Sequence, residues 1–225
     1  MRLDKLLVIR GYFSSRSKAK EAIKKGFVIV DGKVVTKPST DVPMNANLDV
    51  MVEEKPRGYW KLKMLDEKWR ILKEGQVVLD LGSSAGGFLL YASERVGERG
   101  RVYGIEFSRE FEQRLREIER RRKNVRVFIE DAFKFDISKL EPLDVILSDL
   151  TLDPNSAFKA TSRFFPLLKP KGKILFVMKT GLNFDEPNLG GVRILRFEDS
   201  KERKERYYLC SGRDLNPGHR LERPV

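Results

Sequence analysis

Five apolar runs that alternate with helix-like segments constrain the fold of this chain more than any other feature. They cover Gln76–Leu81, Arg101–Phe107, Val125–Ile129, Asp144–Leu150 and Gly172–Thr180. Two shorter runs, Val192–Phe197 and Arg206–Cys210, follow them. Apolar strands separated by helices form an open, mostly parallel sheet that is covered on both faces. The second part of the chain is therefore predicted to be an α/β domain.

The first strand runs into a glycine-rich turn, Gly82-Ser83-Ser84-Ala85-Gly86-Gly87-Phe88. Glycine lets the backbone turn sharply and approach a ligand closely. No Gly-Lys-Ser/Thr follows, so the turn is not a phosphate-binding P-loop. On its own the turn is also compatible with a structural role.

Acidic residues at the ends of the next strands favour a ligand site. Glu106 ends the second strand, about twenty residues beyond the turn, where such folds hold a nucleotide ribose. Asp131 follows the third strand. Ligands of open α/β sheets bind outside these carboxyl edges. The turn departs from the Gly-x-Gly-x-x-Gly pattern of dehydrogenases, which argues against NAD.

Together these residues resemble the Rossmann-like class I S-adenosylmethionine-dependent methyltransferases. The resemblance implies S-adenosyl-L-methionine as the cofactor, with Glu106 at the ribose and Asp131 near the adenine. The residues that it places around the cofactor are Asp80, Gly82, Ser83, Ser84, Gly86, Gly87, Phe88, Glu106, Asp131 and Asp149.

Four charged residues point to one type of methyltransferase within this class. Lys61, Asp149, Lys179 and Glu205 resemble the Lys-Asp-Lys-Glu tetrad of the FtsJ-type RNA ribose 2′-O-methyltransferases. The stretch Arg57-Gly58-Tyr59-Trp60-Lys61-Leu62 and the leading domain described below resemble the TlyA branch most closely. The chain departs from the FtsJ pattern after Asp149 and ahead of Glu205, where Glu202 is an alternative for the last acid.

The residue types of the tetrad suit methyl transfer to a hydroxyl group. Two lysines can hold the hydroxyl and stabilise negative charge as it develops. Lys179 is the expected base, provided that burial and the neighbouring cation Lys61 lower its pKa. Asp149 would orient the lysines, and Glu205 would position Lys61 or the ribose. No metal is required, and none is expected from one cysteine and one histidine.

The first fifty residues predict two short helices and a hairpin. Gly11 and Gly26 end the helices, Ser15 or Ser17 caps the second, and Asp31-Gly32 forms the hairpin turn. Basic residues line this unit, and we expect them to bind RNA phosphates: Arg2, Lys5, Arg10, Arg16, Lys18, Lys20, Lys24 and Lys25. The order Arg2-Leu3-Asp4, Gly11, Ser15-Arg16, Gly26, Val28-x-Val30-Asp31-Gly32 and Pro38 resembles the S-four domain, which implies binding to structured RNA.

The predicted organisation is a small α+β S-four RNA-binding domain at 1–52, a linker at 53–60, the methyltransferase domain at 61–210 and an irregular tail at 211–225. A surplus of 45 basic over 33 acidic residues, a net charge of +12, favours RNA as the partner. No apolar run spans a membrane and no signal peptide is recognisable, so a cytoplasmic location is expected.

Three functions remain open at this point. The first is ribose 2′-O-methylation, with ribosomal RNA as the expected substrate. The second is methylation of an RNA base by the same fold, although the Asp149 segment contains neither an aromatic-proline motif nor a reactive cysteine. The third is a non-catalytic RNA-binding ribosome assembly factor that has kept the methyltransferase fold. A helix near 114–123 ends in Arg120-Arg121-Arg122-Lys123 and is interpreted as a solvated face or a second RNA surface.

Overall fold

A computed structural model describes residues 1–53, 55–180 and 189–212 of the chain. The N-terminal domain packs two helices, α1 (Leu3–Ile9) and α2 (Arg16–Lys24), against a small sheet of three strands. The strands are β1 (Val28–Val30), β2 (Lys33–Val34) and β3 (Leu48–Val50).

The predicted turn chemistry of this domain is confirmed. The Ser15 hydroxyl caps α2 by accepting the N–H of Lys18 at 3.4 Å. Asp31 and Gly32 both have positive φ between β1 and β2, which pair antiparallel. Strand β3, on the other edge of β1, was not predicted.

The second domain begins with helix α3 (Arg57–Trp69), which means that the predicted linker 53–60 includes the first turn of a helix. Pro56 precedes that turn, where its missing N–H costs nothing. The elements that follow α3 are β4 (Val77–Leu81), α4 (Gly87–Val96), β5 (Arg101–Ile105), α5 (Glu112–Arg121), β6 (Val125–Phe128), β7 (Leu143–Ser148), α6 (Pro154–Ser162), β8 (Leu168–Lys179), β9 (Val192–Ser200) and β10 (Glu205–Gly212).

Seven strands form one sheet in the order β6-β5-β4-β7-β8-β10-β9. Strands β4 to β8 are parallel, whereas β10 runs antiparallel to both of its neighbours. Hydrophobic clusters cover both faces of the sheet, with α3 and α4 on one and α6 on the other. The predicted fold class is confirmed. Ser211 and Gly212 belong to β10 rather than to the predicted tail, and 213–225 lie outside the described residues.

Helix α5 of the second domain packs against the N-terminal domain. Nη1 of Arg114 donates to the backbone oxygens of Gly11 and Tyr12, at 3.1 and 2.9 Å, from a position that is 9% exposed. Nη2 of Arg120 donates to the Tyr12 hydroxyl at 2.9 Å. A Cβ on Gly11 would lie 2.4 Å from the backbone oxygen of Gln113, so the two backbones are in direct contact.

The arginines at the end of α5 therefore have a role that neither sequence interpretation included. Arg121 donates to the backbone oxygen of Val50 at 3.1 Å, and Arg122 forms an ion pair with Glu53. Guanidinium groups suit this role because they can satisfy several carbonyl and carboxylate oxygens from one fork. Arg120 and Arg121 also pair with Glu117 of α5 itself, so the arginine run combines contacts within its own domain with contacts between the domains.

We expect Arg114→Leu to lower the free energy of unfolding by about 1–3 kcal/mol, because it leaves two buried carbonyl oxygens without their donor. Urea denaturation followed by circular dichroism would measure the change. Arg109→Ala, at an exposed position just before α5, is the matched control and should stay within about 0.5 kcal/mol of the parent. Equal effects of the two substitutions would contradict the interface described here.

Within the described residues, no helix combines the length and apolar character needed to cross a bilayer. The same residues contain no group of three or more His, Cys, Asp or Glu side chains placed to hold a metal ion.

Candidate active site

The candidate site lies where the strand order reverses. From β4 the chain proceeds outward through β5 and β6 and then returns to β7 on the other side of β4. The loops that follow β4 and β7 consequently separate in opposite directions and leave a crevice at the carboxyl edge, where open α/β sheets bind their ligands. Strand β10 runs antiparallel to β8, so its first residue, Glu205, pairs with Lys179, the last residue of β8.

The structure brings the four tetrad residues predicted from the sequence into one cluster. Lys61 Nζ donates to Asp149 Oδ2 at 2.6 Å and to Glu205 Oε1 at 3.0 Å. Lys179 Nζ donates to Asp149 Oδ1 and to Glu205 Oε1, both at 2.6 Å. Each lysine thus contacts both carboxylates, and each carboxylate contacts both lysines. Lys61 and Glu205 are only 5% and 7% exposed, so the interactions are poorly screened by solvent.

The electrostatics of the cluster contradict one expectation. Burial lowers the pKa of Lys179, but its hydrogen bonds and attraction to Asp149 and Glu205 outweigh burial, and the net pKa is raised. Burial likewise raises the pKa of Glu205, yet Lys179 and Lys61 bring it below its ordinary value. The expected lowering of the Lys179 pKa is therefore wrong, because two carboxylates and not Lys61 dominate its surroundings.

The structure distinguishes the two candidate acids near the last strand. Glu205 is buried, and its Oε2 accepts a hydrogen bond from the Tyr207 hydroxyl at 3.0 Å. Burial raises the pKa of Tyr207 to about 12, which keeps this phenol a donor. Glu202 is exposed at the rim of the cavity described below. Of these two acids, only Glu205 contacts both lysines.

The glycine turn adopts the backbone that its sequence predicts. Gly82 and Gly86 have φ of 78° and 79°. Ser84 also has a positive φ, 48°, although it is not a glycine. The Ser84 N–H donates to Glu106 Oε2 at 2.8 Å, and the Ser108 N–H donates to Glu106 Oε1 at 2.7 Å. Glu106 therefore lies against the turn, at the end of the neighbouring strand.

Gly87 allows α3 and α4 to touch. A Cβ at Gly87 would lie 2.6 Å from the backbone nitrogen of Tyr59 and 2.8 Å from Cα of Gly58. Neither atom can move unless α3 moves, and α3 carries Lys61 into the cluster. The glycine thus fixes the position of a tetrad lysine.

We expect Gly87→Ala to lower the free energy of unfolding by about 1–3 kcal/mol, because the added methyl group meets backbone atoms. Differential scanning calorimetry would measure the loss. Gly58→Ala is the matched control from the facing helix, since its Cβ would make contacts of 3.4 Å or longer. A variant at Gly87 as stable as the one at Gly58 would refute the close contact.

Asp80 is the most unusual polar group at this edge. It is 0% exposed, and within the described part of the chain neither carboxyl oxygen has a hydrogen-bond partner. Burial raises the pKa of Asp80 to about 8, with Asp149 and Glu106 acting in the same direction. A buried carboxyl group without partners is costly, so its presence beside the turn indicates a ligand that would compensate it.

A cavity of about 820 Å³ lies between the turn and the cluster. The predicted site residues that line it are Lys61, Gly82, Ser83, Ser84, Gly87, Phe88, Asp149 and Glu205. Those outside its lining are Asp80, Gly86, Glu106, Asp131 and Lys179. The Asp131 carboxylate accepts the Phe133 N–H of its own turn at 2.9 Å.

Five further residues line the cavity and were not predicted: Pro56, Arg57, Gly58, Ala85 and Arg203. Glu202, the alternative for the last acid, lines it as well. Arg57 and Gly58 belong to the stretch quoted for the TlyA resemblance, and Arg203 lies in the charged run before β10. Both stretches were visible in the sequence. Nothing in either of them indicates that they meet across one cavity.

The predicted RNA-binding cations lie in different environments. Arg2 and Arg16 form ion pairs with the buried Asp4, and Lys20 lies 4.0 Å from the same carboxylate. The pKa of Asp4 falls to about 2, chiefly through its hydrogen bond with Arg2. Arg10 donates to the backbone oxygens of Met44 and Ala46 and thereby holds a loop. The exposed basic residues of the two helices are Lys5, Arg16, Lys18, Lys20 and Lys24, and the exposed Lys25 follows α2 directly.

The strand order, the glycine turn and the acid beyond β5 together define a Rossmann-like domain, a fold whose carboxyl edge commonly binds nucleotide-derived ligands. Residues 55–212 match the FtsJ-like methyltransferase family, and residues 1–48 match the S4 domain. The chain therefore belongs to the FtsJ-like methyltransferase family. The family and the fold expected from the sequence are confirmed.

Three known proteins illustrate the similarity. Ribosomal RNA large subunit methyltransferase E of Bdellovibrio bacteriovorus is 38% identical over 42% of this chain and 47% of its own length. The protein of the same name from Desulfatibacillum aliphaticivorans is 33% identical over 57% of this chain and 67% of its own length. A solved structure from Streptococcus thermophilus, named as a hemolysin, shares the fold with a TM-score of 0.59 and 17% identity, over 95% of this chain and 89% of that one. The chain thus spans about half of the first relative.

Proposed function

We propose that this protein transfers a methyl group from S-adenosylmethionine to a ribose 2′-hydroxyl of ribosomal RNA. The observation that carries the proposal is the cluster of Lys61, Asp149, Lys179 and Glu205 beside the glycine turn. The family assignment and the names of the ribosomal RNA methyltransferases it resembles support the reaction and the substrate class.

The residues at the turn fit this cofactor. S-adenosylmethionine, when bound, supplies a methyl group on a positively charged sulfur. Asp80 offers an uncompensated buried carboxyl group to a cationic ligand, and the positive φ of Gly82 and Gly86 opens the turn to close approach. Glu106, beyond β5, is the acid for the ribose hydroxyls. We also propose that Asp131 lies near the adenine. Its position after β6 is the only support for this role.

The cluster suits an acceptor hydroxyl. Two ammonium groups that converge on the same carboxylates present their remaining N–H groups to a third ligand, since each ammonium has three donors. A ribose oxygen placed there is aligned and its developing negative charge is stabilised. Asp149 and Glu205 hold the lysines in place, and Tyr207 positions Glu205.

The raised pKa of Lys179 changes the role that we assign to it. An ammonium group cannot accept a proton, so Lys179 acts as a donor to the hydroxyl oxygen. We assign the proton released by the hydroxyl to the Asp149 carboxylate, which contacts both lysines. Lys61 assists from the other side of the same carboxylate.

We expect the single-turnover rate at saturating cofactor and RNA to be nearly constant between pH 7 and pH 9. A lysine whose pKa is raised above its ordinary value keeps its proton throughout that interval. Quenched-flow measurement of methyl transfer would test this. A tenfold rise in rate for each pH unit would instead identify neutral Lys179 as the base.

The structure offers no support for base methylation through a cysteine nucleophile. Cys210, the only cysteine in the sequence, is buried in β10, and burial raises the pKa of its thiol to about 12. A thiol of that pKa is not a nucleophile near neutral pH.

Methyl transfer from radiolabelled S-adenosylmethionine to unmodified ribosomal RNA transcripts, followed by digestion to nucleosides, tests the proposal. A 2′-O-methylated nucleoside is the expected product. A base-methylated nucleoside would overturn the assignment of the acceptor. Absence of S-adenosylmethionine binding at millimolar concentration in calorimetry would favour the non-catalytic assembly factor.

A further inference from the structure

Two exposed arginines, Arg57 and Arg203, line the cavity of the candidate active site. Arg57 lies in the first turn of α3, and Arg203 lies in the turn between β9 and β10. Both are exposed, and both line the cavity that contains Lys61, Asp149 and Glu205. Among the described residues, neither guanidinium forms an ion pair.

Several other arginines of the same domain do form ion pairs. Arg95 pairs with Asp66 at 2.9 Å and Arg101 pairs with Glu141 at 3.2 Å. Arg206, only three residues beyond Arg203, has a salt bridge to Asp199 at 2.5 Å. Unneutralised guanidinium groups at a cavity mouth attract anions, and their fork geometry matches phosphate oxygens.

Backbone contacts hold the turn that carries Arg203 in place. The N–H of Arg203 donates to the Ser200 hydroxyl oxygen at 3.3 Å, and the oxygen of Lys204 accepts the Thr180 N–H at 2.8 Å. Lys204 itself has a φ of 53°, an uncommon conformation for a residue other than glycine. The turn that carries Arg203 is thus fastened to the end of β8, directly after Lys179.

Arg57 adds its charge to the positive end of a helix that lines the cavity. The first N–H groups of a helix lack intrahelical acceptors, and the helix dipole favours an anion near them. Helix α3 has 13 residues and presents Arg57 and Gly58 to the cavity. Positive charge is therefore present on two separate elements that line the cavity.

We propose that Arg57 and Arg203 bind the backbone phosphates of the RNA strand on the two sides of the acceptor nucleotide. The proposal rests on the function proposed above and assigns its RNA contacts at the reaction site. Phosphates held at the rim place the intervening ribose over Lys61 and Lys179, whatever its base. The N-terminal domain then binds structured RNA elsewhere, while these two arginines position the strand that reacts.

Glu202 opposes this binding from the same rim. It is exposed and lines the cavity next to Arg203 in the chain. Removing its charge leaves the two arginines unopposed. Glu202→Gln should accordingly tighten RNA binding, in the opposite direction to the arginine variants.

The test compares Arg57→Gln, Arg203→Gln and the double variant of the full chain with Arg196→Gln. Arg196 is an exposed arginine of β9 with no ion pair among the described residues and lies outside the cavity. We expect each cavity variant to raise the KM for ribosomal RNA transcripts about tenfold and to reduce the salt dependence of RNA binding by about 0.7–0.9 in log–log slope. Arg196→Gln should leave both quantities within twofold of the parent, and calorimetry should give unchanged cofactor affinity for all variants.

Filter binding to the same transcripts, without cofactor, separates this proposal from the proposed function. Cavity variants that bind like Arg196→Gln would overturn the phosphate contacts even if methyl transfer is observed. A parent protein that transfers no methyl group would overturn the proposed function, while the salt slopes still decide the role of the arginines. Arg57→Lys and Arg203→Lys should keep the slope, and a slope as shallow as that of the glutamine variants would also contradict charge-based binding.

Discussion

Lys179→Ala is expected to reduce the rate of methyl transfer to RNA about 10²–10³-fold while leaving S-adenosylmethionine affinity unchanged. The size of the loss is that of removing one donor to a developing negative charge. Lys61 still contacts Asp149 and Glu205 in this variant, so the two carboxylates remain paired and the fold should be retained. Single-turnover kinetics with saturating RNA would measure the rate, and calorimetry the affinity.

Lys159→Ala provides the matched control. Lys159 is an exposed lysine of α6, outside the cavity, and its removal should leave the rate unchanged. A Lys179 variant that retains more than a tenth of the parent rate would show that the cluster is structural. Loss of cofactor binding in the variant would instead place Lys179 at the cofactor.

Asp80→Asn is expected to make stability less dependent on pH and to weaken cofactor binding at least tenfold. The folded-state pKa of Asp80, about 8, lies above its ordinary value of 3.8. Between these pH values the folded protein binds a proton that the unfolded chain has released, so stability falls as pH rises. The slope reaches about 1.4 kcal/mol per pH unit for one such group, and it ends above the folded pKa.

The substitution removes the titrating group, so the unfolding free energy of Asp80→Asn should change less between pH 5 and pH 8 than that of the parent. Burying the Asn amide lowers the unfolding free energy by an amount that does not depend on pH. Comparing the pH slopes of the two proteins therefore removes this contribution. Calorimetry at pH 8 in buffers of different ionisation enthalpy would show proton release on cofactor binding in the parent and less in the variant. Equal pH slopes in the two proteins would rule out a raised pKa for Asp80.

The positions of the strands could be predicted from the sequence because each is a continuous apolar run with a definite end. Since functional residues of parallel sheets follow those ends, Asp149 and Lys179 were recognisable before their contacts were known. Glu205 required the antiparallel β10, whose register places it opposite Lys179. In the sequence, only the spacing of Glu205 and Tyr207 indicated this residue, and it did so indirectly.

Other features depend on tertiary contacts that no local pattern carries. The raised pKa of Lys179 follows from two carboxylates that are 30 and 26 residues away in the chain. Strand β3 has only three residues, too few for a periodic signal, and forms because β1 offers it an edge. The arginine run of α5 reads as a solvated face until the N-terminal domain is placed against it.

Under the proposed function, that interdomain contact through α5 limits which RNA molecules can be substrates. Side-chain and backbone contacts from Arg114 and Arg120 hold the N-terminal domain against the same helix whose Ile118 packs beneath Gly86 of the cofactor turn. The separation between the RNA-binding helices and the acceptor pocket is consequently fixed by the protein and not by a flexible tether. We therefore expect the acceptor nucleotide to be selected by its distance from the folded RNA element that the N-terminal domain binds. The same base at another distance from that element should remain unmodified.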